Sequence, residues 1–167
     1  GNTMPLSNEL WNAPAGGGRH TRGIFAFGYL WGTGETSISN LVNTSGVVGS
    51  DVTGVGTSRQ YVGAATYGGD KAIFAYGAIS ATYQNVSNLI SNEGVVASDV
   101  SGVGTGRSRP GALNYGGDKA MMAWGWVEPN YVNTRNLISN TGVLAADVTG
   151  VGTGRYYAPG IGISYSA

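Results

Sequence analysis

The sequence predicts an all-β fold assembled from three copies of one unit. Three observations carry this: a block that recurs every 48 residues, glycine at 30 of 167 positions, and apolar segments too short for helices and punctuated by turn residues. Hydrophobic residues make up 41% of the chain, an ordinary content for a globular core. The glycines are not spaced every third residue, which excludes a collagen helix and points to tight turns between short strands.

The recurrence is residue by residue. Asn40-Leu41-Val42 returns as Asn88-Leu89-Ile90 and Asn136-Leu137-Ile138. Asp51 returns as Asp99 and Asp147, and Arg59 as Arg107 and Arg155. Gly54-Val55-Gly56-Thr57 returns as Gly102-Val103-Gly104-Thr105 and Gly150-Val151-Gly152-Thr153. Tyr67-Gly68-Gly69-Asp70-Lys71 and the apolar run after it return at Tyr115 to Gly125, and a third copy is due after residue 162. Its match stands at the other end of the chain, at Thr21 to Gly28. The units therefore run over residues 30–77, 78–125 and 126–167 plus 18–29, in a permuted register, with residues 1–17 as an N-terminal arm.

Each unit has four expected strands. Lys71 to Tyr76 is apolar on both faces, with Phe74 and Tyr76 on one side and Ile73 and Ala75 on the other, so it needs cover on both. Met121 to Trp124 matches it. Further strands fall near Val86–Ser91, Val95–Val100 and Arg107–Tyr115, separated by Asn92-Glu93-Gly94, Ser101-Gly102 and Gly116-Gly117-Asp118. Four short strands per unit of this length is the plan of a β-propeller blade. A β-prism or β-trefoil is the alternative that three units permit.

Three blades do not close a propeller, whose blades number four to eight. Two chains supply six. Residues 22–29 would then complete the last blade, of the same chain or of a partner, giving a closed dimer or an open fibre by strand exchange. A homo-oligomer is the expected partner.

Nine basic and nine acidic residues cancel, so no net field draws nucleic acid, and no apolar run is long enough to span a membrane as a helix. With no cysteine there is neither a disulfide nor a thiolate metal site. The chain begins at Gly1 instead of Met, as a processed product or a segment of a longer chain does.

Recurrent polar residues have competing readings. Asp51, Asp99 and Asp147 suit a calcium or sugar ligand once per unit, or a turn carboxylate that accepts backbone N–H groups; the missing acidic neighbours favour the turn. Arg59, Arg107 and Arg155 suit ligand contact, or a structural role at strand ends or paired with the recurrent Asp. The loops after the central strands vary most and carry Tyr29 and Trp31, Tyr83, then Trp126 and Tyr131. Such aromatics suit stacking on a sugar ring or a subunit contact. His20 is the lone histidine, with no nucleophile placed beside it, and no catalytic, cofactor or metal motif is present. Asn43-Thr44-Ser45 and Asn85-Val86-Ser87 are glycosylation sequons by pattern.

Gly106-Arg107 through Gly117-Asp118-Lys119, followed by an apolar strand ending in Gly125, resembles a kelch blade, without its double glycine or its tryptophan. The run from Asn88-Leu89-Ile90 to Gly106-Arg107, with its Tyr-Gly-Gly-Asp-Lys turn, is similar to repeats of tailed-phage structural proteins, cyanophages included. The resemblance covers residues 18–167. It implies virion or extracellular fibre work and no reaction; the aromatic loops support the alternative, a lectin-like module that recognises a surface glycan.

Overall fold

The computed structural model describes residues 21–164. The N-terminal arm, His20 and the first residues of the 18–29 segment lie outside it. All regular structure is β, with no helix among the described residues.

The first layer is a hairpin of β1 (Gly23–Leu30) and β2 (Gly34–Val42). In the middle layer β3 (Gly63–Tyr67) pairs with β4 (Lys71–Ala75), short strands β5 (Ala78–Ile79) and β6 (Thr82–Tyr83) form its tip, and β7 (Ser87–Ile90) returns beside β4. In the last layer β8 (Gly111–Tyr115) pairs with β9 (Lys119–Val127), which pairs with β10 (Asn130–Ile138). The register repeats: Phe25 lies opposite Asn40, Phe74 opposite Asn88, and Met122 opposite Asn136. The unit is thus organised about one long hairpin in place of two separate strands.

A bend interrupts each hairpin at an aromatic–glycine pair. Phe27, Tyr76 and Trp124 hold φ of 63°, 64° and 60°, and the glycine after each continues at positive φ. A left-handed conformation costs a non-glycine residue about 1–2 kcal/mol, so neighbours must hold it in place. Gly77 is fixed more tightly still: at φ of 109°, a Cβ there would lie 2.5 Å from the Gln60 carbonyl oxygen.

The strand expected at Val95–Val100 forms only two bridges, Ile90 to Val96 and Ser87 to Val100. Between them the Asn88 side chain donates to the Ala97 carbonyl (3.0 Å), taking the place of a ladder bond. Leu144 and Val148 bridge to Ile138 and Arg135 in the same way.

The core lies between the middle and last layers, with Ile73, Ala75, Tyr76, Met122 and Ile138 buried. Ile73 and Phe74 are adjacent in β4 and both buried, so this strand is covered on both faces. Phe27 meets Phe74 at 5.5 Å between ring centroids, joining the first layer to the middle one. Met122 presses on Gly63, where a Cβ would come within 2.6 Å of its sulfur. Main-chain bonds also step between equivalent positions, from the Arg109 N–H to the Tyr61 carbonyl and from the Tyr157 N–H to the Arg109 carbonyl.

Pairing of β1 with the C-terminal segment inside one chain does not occur among the described residues. β1 pairs with β2 alone. The C-terminal segment runs over β8 instead, with Gly160 against Ala112 and Gly162 against Asn114. It sits on the far side of the last layer, the position that a further layer's outer strand would take.

Candidate functional site

Successive layers are held by a clasp centred on the recurrent arginine. Arg59 leaves the first layer and is fully buried against the second. Its Nε donates to the Tyr76 carbonyl (2.8 Å), Nη1 to the Thr57 carbonyl (2.9 Å) and Nη2 to Asn88 Oδ1 (2.8 Å). Its plane lies 4.2 Å over the Phe27 ring. Asn88 in turn donates to Asp99 (2.9 Å), and Asp99 accepts from both the N–H and the hydroxyl of Thr57. The carbonyl of the left-handed Tyr76 is thus a ligand of the preceding layer's arginine.

The same clasp joins the middle layer to the last. Arg107, also fully buried, donates to the Trp124 carbonyl (2.7 Å) and to Asn136 Oδ1 (2.8 Å), and lies 3.9 Å over the Tyr76 ring. Asn136 donates to Asp147 (2.9 Å), which accepts from the Thr105 N–H (3.0 Å) and hydroxyl (2.6 Å). Among the described residues no buried side-chain nitrogen or oxygen is left without a hydrogen-bond partner.

Burial pushes the Arg59 guanidinium down to about 10, with Asp99 opposing, so it stays charged at neutral pH. Burial lowers Arg107 likewise, against Tyr76 and Asp147. For Asp99, burial pushes the carboxyl up, but Thr57 and Asn88 outweigh it and hold it below the usual carboxylate range. Asp147 is held low in the same manner by Thr105 and Asn136. The aspartates lie one per layer, and no group of three acidic or histidine side chains converges among the described residues.

The two end layers carry half a clasp each. In the last, Arg155 lies 3.6 Å over the Trp124 ring but is exposed, with a single bond from Nη1 to the Thr153 carbonyl (3.4 Å). In the first, Asn40 donates to Gly49 and Asp51 as its counterparts do, yet no arginine or threonine of the described residues reaches them.

The aromatic candidates fall in one row of hairpin tips. Consecutive tips are linked by the Ser80 N–H to Glu35 (2.7 Å) and the Glu128 N–H to the Tyr83 hydroxyl (3.2 Å). Tyr29 and Trp31 stand exposed at the first tip, Trp31 at 96%. Trp126 and Tyr131 face each other across β9 and β10, 4.8 Å between centroids. Tyr156 stacks on Tyr131 at 5.2 Å, and Tyr157 continues the cluster at 4.8 Å from Tyr156. Arg109 extends it, lying 3.7 Å over Tyr61 and donating to the Tyr157 hydroxyl (2.7 Å). None of these ring contacts involves Tyr29, Trp31 or Tyr83. Sequence reasoning missed Tyr61, Arg109, Tyr156 and Tyr157. Their signal was a stacked position, 61, 109 and 157, whose residue type changes from unit to unit.

No family model matches the chain, and no curated protein matches it. What defines it structurally is a class: an all-β repeat protein whose layers are joined by buried arginine clasps.

Proposed function

We propose that this chain is a non-catalytic structural protein that assembles with its own kind, as a component of a virion or extracellular fibre built from propeller-like layers. The observation that carries the reading is the clasp. The chain joins its own layers with one bonding pattern, and its two end layers hold the two complementary halves of that same pattern. Surfaces of this kind associate head to tail, closing into a ring when the rotation permits and growing into a filament when it does not. Two chains would make a six-layered ring. Light scattering across a concentration range tests this: masses at multiples of one chain support it, and a single-chain mass at every concentration overturns it.

A second reading, glycan binding, is favoured by the Trp126–Tyr131–Tyr156 cluster, which offers stacked and partly exposed rings next to Arg109. Glycan-array binding lost in W126A would support it. An empty array would remove it and leave assembly untouched.

A further inference from the structure

The half-clasps at the two ends match in more than charge. Repetition of the register makes Phe25 the first-layer equivalent of Phe74 and Met122. Met122 is fully buried against the middle layer, among Ile73, Ala75, Tyr76 and Val103. Phe25 is 65% exposed on the outer face of the first layer. On the opposite face of the molecule, the last layer has an apolar hollow of about 170 Å³ lined by Leu113, Met121, Ala123, Trp124 and Val151. These residues stand one repeat on from Ala65, Ile73, Ala75, Tyr76 and Val103, which belong to or pack against the core cluster that includes Met122. A dry apolar cavity of roughly 150 Å³ takes a benzene ring.

We infer that the outer face of the first layer of a second copy of this chain docks on the last layer, continuing the repeat across the junction. This rests on the self-assembly reading above and fixes its interface. Phe25 of the second copy enters the hollow that Trp124 and Met121 line. Arg155 donates from Nε to the Phe27 carbonyl and from Nη2 to Asn40 Oδ1 of the second copy, as Arg59 and Arg107 do within the chain. Thr153 donates to Asp51 of the second copy, as Thr57 does to Asp99 and Thr105 to Asp147. The main-chain bridges Gln60 to Ala78 and Ser108 to Trp126 predict a third, Tyr156 to Tyr29 of the second copy. Tyr29 and the Tyr156 side of the aromatic cluster then meet at one junction.

The two halves lie on different surfaces, so they can be disabled separately. R155A removes the tail's donors and D51K blocks the head, both at exposed positions. The expected result is that each variant alone runs at the single-chain mass of 17.1 kDa, and that an equimolar mixture gives a one-to-one dimer with a single junction. Thermal unfolding of both variants checks that they remain folded. F25A, which alters neither half-clasp, is expected to weaken assembly of the otherwise unmodified chain at least tenfold. If the unmodified chain assembles and both charge variants still assemble to the same mass, the interface is overturned while the self-assembly reading stands. If the unmodified chain stays monomeric at every concentration, both fail.

Discussion

A guanidinium shut away from water is tolerated here because every donor that matters has an acceptor at bonding distance. Arg107 spends Nε and Nη2 on a carbonyl and an asparagine oxygen and lays its face on Tyr76. R107A leaves the buried Asn136 oxygen and the part-buried Trp124 carbonyl without this donor and opens space beside the Tyr76 ring. Its expected cost in urea unfolding is about 3–5 kcal/mol. R155A changes the same repeat position where the side chain is exposed, and in the head-blocked D51K background it should cost less than about 0.5 kcal/mol. Equal losses would show that the clasp does not hold the layers. The carboxylates set the acid limit. Asp99 and Asp147 are held below their unfolded values, so as pH falls the unfolded chain takes up protons first. Their contribution is complete above about pH 4 and disappears below it. A D99N/D147N variant should be less stable at pH 7 and show a flatter loss of stability as pH falls below about 4, followed by circular dichroism.

The hairpin is the element that positions everything else, and its bend is where local sequence and tertiary contact meet. The aromatic residue bears the left-handed strain, its ring receives one arginine and its carbonyl another, and the glycine after it admits the neighbouring strand. G77A should therefore cost about 2–4 kcal/mol, since it combines a strained φ with a collision on the Gln60 carbonyl. G69A has positive φ but open space around it, and about 1 kcal/mol is expected. Thermal melts of the two variants read the difference directly. Much of this element was legible beforehand. The alternation around Ile73 and Phe74 announced a strand covered on both faces, and Tyr67-Gly68-Gly69-Asp70-Lys71 announced its turn. The Val95–Val100 strand was overread, because alternation cannot reveal that the Asn88 side chain takes a ladder bond. The arginine's partner was hidden for a similar reason. Charge pairing directed attention to the recurrent aspartate, whereas the bond goes to the recurrent asparagine beside it in space. Arg109 and Tyr156 break the repeat, standing where the other units carry Tyr, or Gln and Ser, so recurrence does not single them out.

Across the whole molecule, the layers form a series in which each is joined to the next by the same four residue types, Arg, Asn, Asp and Thr. The permuted register in the sequence could not say that, among the described residues, β1 pairs with β2 alone while the C-terminal segment runs over β8. That separation makes the ends complementary between chains and not within one. Proteins of repeated layers depend on what covers their terminal layers, because each layer alone leaves an apolar face in water. Here the outer faces show Phe25 on one side and the Trp124 hollow on the other. The most direct test uses the absence of native cysteine. A D51C/T153C variant is oxidised and compared with T57C/D99C, which places the same pair inside one chain. T57C/D99C is expected to close within a single chain, while D51C/T153C gives disulfide-linked multiples of 17.1 kDa. A D51C/T153C sample that stays at single-chain mass, beside a T57C/D99C control that closes, would contradict it.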